Sequence, residues 1–345
     1  MILRTRYAGN RELRMPAEFG GSTLPVRPGV LWASSSGISV DTSQVMGLAA
    51  VGAAISLVAE LIATLPIAVY EGSGAQRVRA ADAWQEGLLD MPSSELSSFD
   101  WRSDVAAAIE GYGNAFLEKV RDGRRIVELR PIHPEYVRVR RDRDTGAKVF
   151  DIWDVAKGRQ TFGTNRILHI RGWTYQGGIA APSPIQVHRD PLGAILAQDQ
   201  FIGSFYRNGA RSDVVFKFPP GTSQQNARDW LDEWNARHQG VENQFRAGGT
   251  IADVTSLPVS LEDAQWAESR RLAVEDVARI YRVPAALLDV TEQAETASTA
   301  EEIVLKFLTF RFAPRLRRIE RALYADTDIF GGALYPRFIV DELLR

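Results

Sequence analysis

The sequence predicts an α+β fold, and three observations carry that prediction. Two turn signals, Asp122-Gly123 and Asp144-Thr145-Gly146, each sit between segments that read as strands. A long, mostly apolar helical pattern over 48–65 is stopped by Pro66, and a second helical pattern ends near Val283-Pro284. Hairpins flanked by helices describe antiparallel strands with helices set apart from them, rather than repeated βαβ units.

The elements follow in order. Met1 to Gly37 is rich in Arg, Gly, Pro and Ser and lacks the apolar stretch of a signal peptide, so 1–39 is expected to be a poorly ordered arm. In 48–65, Ala49, Ala53, Ser56, Glu60 and Thr64 form a small and polar stripe. Leu48, Val51, Ile55, Val58, Ile62 and Leu65 form the opposite face. That pattern belongs to a helix packed on a core, and Glu60 opposes a membrane span. Ile67 to Tyr70 reads as the next strand. A helix over Trp101 to Glu110 is capped by Ser98 or Asp100. Strands are expected at Asn114–Arg121, Arg125–Arg130, Tyr136–Arg141, Lys148–Trp153 and Ile167–Ile170.

The Gly-, Ala- and Pro-rich stretch from Trp173 to Pro184 is the best domain boundary. A long helix follows over Ile185–Asn208, with Pro191 near its start. Then come a strand at Val214–Phe218, a helix at Ser223–Gln239, and a loop with a short strand from Gly248 to Ser260. Leu272, Val277, Ile280 and Tyr281 give the next helix one buried face. After a polar loop, Ser298 or Thr299 caps a last helix that runs to Leu323, and 334–344 closes the chain.

Composition narrows the function. The 345 residues are 45% hydrophobic and 24% charged, with a net charge of −2. That is not the basic excess of a protein that grips DNA through its phosphates. The absence of cysteine removes disulfides, iron–sulfur clusters, thiolate zinc and cysteine nucleophiles together. No two of His133, His169, His188 and His238 share metal-ligand spacing on a helix, and His169 reads as structural. Gly111-Tyr112-Gly113-Asn114-Ala115-Phe116 lacks the third glycine of a dinucleotide fingerprint and leads into a strand. No P-loop and no nucleophile elbow occurs. Catalytic residues, metal and cofactor are therefore all expected to be none. Acidic pairs such as Asp142/Asp144 and Asp326/Asp328 read as solvated turns. The alternatives are a carboxylate-dependent hydrolase or nuclease without an identified site, and a peripheral membrane channel protein using Thr42 to Tyr70. Arg138, Arg140, Arg141 and Arg143 crowd a hairpin tip, while Arg311, Arg315 and Arg318 follow one helical stripe that can face DNA.

Segments in fixed order carry a resemblance. They include 58–70 (VAELIATLPIAVY), Gly113-Asn114-Ala115-Phe116, Leu129-Arg130-Pro131, Ser183-Pro184-Ile185, Phe205-Tyr206-Arg207-Asn208-Gly209 and, most specific, Ala278-Arg279-Ile280-Tyr281-Arg282-Val283-Pro284 with Leu287-Leu288. Over 43–344 the chain resembles the portal proteins of tailed bacteriophages, of the HK97 type. It departs at Asp289, at Ala300-Glu301-Glu302 and at Arg311-Phe312-Ala313.

The resemblance implies a portal-protein fold with an antiparallel α/β wing, long stem helices, a small clip and an axial helix–loop–helix. It places the wing at 40–180, stem and clip at 181–270, axial helices at 271–324 with a tunnel loop at 289–299, and a C-terminal wing or crown remnant at 325–345. It implies a self-assembled ring, typically a dodecamer, at a capsid vertex of the virion, with host cytoplasm as the site of assembly. Double-stranded viral DNA passes through such a ring. The other implied partners are a large terminase motor, a major capsid or scaffold protein and a head–tail adaptor. In this picture Glu292, Gln293, Glu295 and Thr296 lie near DNA, and their charge gives it no sticky ring of cations.

Overall fold

A hairpin of two-residue strands, β1 (Trp32–Ala33) and β2 (Ser39–Val40), begins the described structure, so the end of the expected arm is ordered and Trp32 packs on the core. The computed structural model describes residues 32–72, 76–154, 158–174, 178–207, 214–238, 253–256, 263–288 and 297–340. A short α1 (Thr42–Met46), capped by Asp41, leads to α2 (Ala49–Thr64). The α2 stripe of Ala49, Ala53, Ser56, Glu60 and Thr64 is exposed throughout, and Val51, Ile55, Val58 and Ile62 are buried. Each such burial contributes about 1.5–3 kcal/mol, as an upper estimate. Among the described residues no helix is long and apolar enough to cross a membrane.

Pro66 turns the chain into β3 (Ile67–Glu71), followed by β4 (Val78–Arg79) and α3 (Trp84–Asp90). Helix α4 (Ser98–Tyr112) is capped by Ser97, one residue before the expected cap, because Ser97 Oγ accepts from Asp100 N. Gly113 ends α4 in the left-handed region (φ 76°), where an added Cβ would lie within 2.4 Å of the Pro182 carbonyl. The glycines at 111–113 thus belong to a tight helix exit and not to a phosphate loop.

Antiparallel strands follow: β5 (Asn114–Asp122), β6 (Arg125–Ile132), β7 (Val137–Arg141), β8 (Lys148–Asp154), β9 (Gly158–Gly163) and β10 (Ile167–Arg171). They form two three-stranded sheets, ordered β10-β5-β6 and β7-β8-β9. The expected long helix after the boundary loop is broken at His188 into α5 (Pro184–Val187) and α6 (Arg189–Arg207). Strand β11 (Val214–Lys217), helix α7 (Gln224–His238) and β12 (Asp253–Ser256) come next, and β11 pairs with β12.

Helix α8 (Asp263–Tyr281) buries Val277 and Tyr281 but leaves Leu272 exposed, contrary to the expected face. The last helical run is α9 (Ala297–Lys306), a π-helical turn over Phe307–Phe312 and α10 (Ala313–Tyr324). Ser298 and Thr299 lie inside α9 rather than capping it. Strand β13 (Leu334–Phe338) returns to pair with β3, in the order β13-β3-β4. One main core joins α2, α4, β3, β5, β6, α8 and α10, and a satellite centred on Phe116, Val139 and Phe150 lies between the two larger sheets.

Candidate functional site

The helix–loop–helix is built on a rigid base. Helix α8 closes with a two-bond cap: the Arg282 N–H reaches the Arg279 carbonyl at 3.3 Å, and the Val283 N–H reaches the Ala278 carbonyl at 2.9 Å. The cap ends the helix at Tyr281, two residues before the expected stop, and Pro284 bars its renewal. It requires a left-handed residue, which Arg282 supplies at φ 54° in place of the usual glycine. The Arg282 guanidinium lies 5.8 Å over the Trp173 ring. A single 3₁₀ turn, Ala285–Leu288, then sets Leu287 and Leu288 against the main core. One root of the loop is thereby fixed.

The other root is α9, whose described side chains are largely exposed except where the helix enters the π turn. An α-helix turns about 100° per residue, so residues five apart point about 140° away from each other. A π turn bonds i to i+5 and brings such residues to one side. Here it buries Phe307 and Phe312 together, with ring centroids 6.0 Å apart. Between them Phe310 is turned outward, 71% exposed. An apolar groove of about 710 Å³ separates the end of α8 from α9 and the π turn, lined by Ala278, Val283, Pro284, Ile303, Phe307 and Phe310.

Arg315 locks this base. Its Nε donates to Glu110 Oε1 at 2.6 Å and its Nη2 to Glu110 Oε2 at 3.1 Å. The same Nη2 donates to the Tyr281 carbonyl at 2.5 Å, and Nη1 donates to the Arg311 carbonyl at 2.9 Å. One buried guanidinium therefore joins the ends of α4 and α8 to the start of α10 and satisfies a helix-end carbonyl that has no partner within its own helix.

The three arginines of the expected stripe separate. Arg311 is exposed, Arg315 is consumed by the lock, and Arg318 is half-buried between α10 and the 172–188 segment. Burial lowers the Arg318 pKa, with smaller opposing and reinforcing effects from Glu110, Arg282 and Arg315. Glu292, Gln293, Glu295 and Thr296 lie outside the described residues.

Other predicted groups are also accounted for. Arg140 pairs with Asp151 at 2.8 Å inside the β7-β8-β9 sheet. Asp142 accepts from the N–H groups of Asp144 and Thr145, as a turn residue does. Asp326 and Asp328 are not a solvated turn: both accept from Lys119 Nζ, at 2.8 and 2.7 Å, and the Lys119 side chain is 1% exposed. Among the described residues no three His, Cys, Asp or Glu side chains are grouped to hold a metal ion.

A polar chain that sequence reading missed runs through His169. Its Nε2 lies 2.9 Å from Asn114 Oδ1, which also accepts from Ala181 N; its Nδ1 lies 2.6 Å from Lys148 Nζ. The lysine donates to Nδ1, which makes Nε2 the protonated ring nitrogen. Burial, then Lys148 and Arg171, hold His169 well below the usual histidine range. Burial, then Arg171 and Arg141, bring Lys148 down to about 8.

A sheet-bearing body thus holds the two helical roots that flank residues 289–296. The model for the phage portal protein family matches residues 49–345. The "Probable portal protein" of Streptomyces phage phiC31 is 30% identical over 331 residues, covering 90% of this chain and 71% of that protein. The portal protein of Enterobacteria phage HK97 is 24% identical over 330 residues, covering 89% of this chain and 74% of that one. Two solved structures share the fold. A chain from the virion of a native gene transfer agent particle matches with TM-score 0.63 at 19% identity, over 92% of this chain and 87% of that one. An HK97-family phage portal protein from Corynebacterium diphtheriae matches with TM-score 0.62 at 16% identity, over 88% of this chain and 96% of that one. The chain belongs to the phage portal protein family, of the HK97 type, and is a structural head–tail connector subunit.

Proposed function

We propose that this subunit assembles with copies of itself into a closed ring, twelve-membered as in the family, at one vertex of the virion. Double-stranded DNA passes through the ring's axis during packaging and ejection, and the ring catalyses nothing. Residues 40–180 form the wing, 181–270 the stem and clip, 271–324 the axial unit and 325–345 the remaining wing or crown. The ring works with a large terminase motor, a major capsid or scaffold protein and a head–tail adaptor, and it forms in the host cytoplasm.

The observation that carries this reading is the clamped pair of loop roots. Leu288 sits on the core at one side of residues 289–296, and α9 at the other leads through the buried Phe307 and Phe312 to the Arg315 lock. Such a base holds a loop in place while cargo slides along it. The likeness to a chain in the neck of a native gene transfer agent particle, computed with C12 symmetry, supports the ring. In this reading Glu292, Gln293, Glu295 and Thr296 meet the duplex, and Arg311 is the cation of the stripe still free to approach it. Deleting 292–296 in the phage should leave the protein folded and impair DNA packaging or retention. Normal packaging with stable retention would overturn the loop's role.

A further inference from the structure

Five cations converge on one cleft, and no ion pair to any of them occurs among the described residues. Arg141, Lys148, Arg171, Arg318 and Arg321 line a cavity of about 600 Å³ between the two larger sheets and α10. Among the described residues none of the five lies within ion-pair distance of a carboxylate. The acid in the cleft, Asp326, is already held by Lys119 at 2.8 Å. Glu110, which lies near Arg318, is held by Arg315. Arg141 and Arg171 spend one N–H each on the carbonyls of Gly146 and Gly178, and Lys148 spends one on His169. The lysine ammonium is set back beside the Phe150 ring, 5.2 Å from its centroid. A cluster of like charges without ion pairs repels itself unless an anion joins it.

The occupant follows from shape and from charge balance. The cleft's apolar walls are Phe150, Ile167, Leu168, Ile179 and Ala322, beside the polar Thr164, His169 and Thr174. Apolar walls around cations suit a protein segment with carboxylates. The chain's own net charge is −2, so this basic surplus is matched by acids elsewhere. One acidic surface without ion pairs among the described residues is the start of α4: Glu95, Asp100 and Asp104 are all exposed, beside the exposed Met91 and Phe99. Asp100 lies about 15 Å along α4 from Glu110, the residue at which α4 meets α10. Basic cleft and acidic edge are two distinct charged regions of one subunit. A ring built by rotation needs two such different, complementary faces.

Resting on the ring reading, we infer that the cleft between α10 and the two sheets receives the acidic edge of α4, Asp100 and Asp104 with Phe99, from a neighbouring copy of this chain.

Charge exchange tests it on the full chain, with ring fraction read by light scattering after size exclusion. Arg171→Glu with Arg321→Glu reverses two exposed members of the cleft, and Asp100→Arg with Asp104→Arg reverses the edge. Each pair should reduce the ring fraction about tenfold or more, and the two together should restore most of it. Undiminished assembly of either reversed form, or no recovery in the combination, would overturn the inference. So would a reversed cleft that assembles fully but loses affinity for a DNA duplex, which would assign the cleft to phosphate. A wild-type chain that never assembles defeats the ring reading itself, and this inference with it. Should a reversed variant fail to fold, the cysteine-free sequence offers a second route. Asp100→Cys with Arg321→Cys should give a covalent ladder between subunits on oxidation, and each single cysteine should not. Assembled rings without a ladder would contradict the contact.

Discussion

Arg315 and Glu110 stand 205 positions apart in sequence and form a two-pronged ion pair at 2.6 and 3.1 Å, with both side chains about nine-tenths buried. The pair closes over the Tyr281 carbonyl, so one guanidinium settles the exits of two helices and the entry of a third. Removing one partner strands the other charge in the core. Arg315→Ala or Glu110→Gln should therefore cost about 3 kcal/mol or more in urea unfolding. A loss below about 1 kcal/mol would show that water or another cation replaces the pair.

The π turn makes a sharp prediction about neighbouring phenylalanines. Phe312→Ala empties a core site and should cost about 3–5 kcal/mol. Phe310→Ala, at an exposed position, should change unfolding stability by no more than about 0.5 kcal/mol. Similar losses at both would mean that the helix runs on without the extra residue in its turn.

Arg282 occupies a backbone conformation that favours glycine. Arg282→Gly should stabilise the isolated chain by about 1 kcal/mol, visible as a raised urea midpoint. A lowered midpoint would mean that the guanidinium's place over Trp173 outweighs the backbone strain.

Much of this architecture is legible in the sequence, and the failures share a cause. The exposed stripe of α2 and the hairpins at Gly123 and Gly146 follow local periodicity and turn chemistry, which a window of residues contains. The end of α8 does not, because an arginine stands where a glycine would have signalled the cap. Phe307 and Phe312 are five apart, a spacing that no α-helical pattern uses, so the π turn is hidden within an unbroken helical run. The pairing of β13 with β3 and the lock of Arg315 on Glu110 join residues more than 200 positions apart. The stripe of Arg311, Arg315 and Arg318 has helical spacing, but only the packing of α4 against α10 reveals that its middle member points inward.

Lys148 gives the fold a pH signature. Its pKa is lowered from 10.5 to about 8 by burial and by Arg171 and Arg141. Between those values the unfolded chain binds the proton and the folded chain does not, so this group's contribution makes stability rise with pH from about 8 to 10.5. Below that window the penalty of burying the ammonium is present in full. Comparing wild type with Lys148→Met across pH 7–11 isolates the effect. The variant's advantage should shrink as pH rises through the window, and a constant difference would refute the assignment.

The central claim is a closed ring, and the mass of the native particle tests it most directly. Purified full-length chain, measured by native mass spectrometry under assembly conditions, should give one dominant species at twelve times its 38.3 kDa mass. A protein that remains a monomer or dimer across salt, pH and concentration would contradict the account.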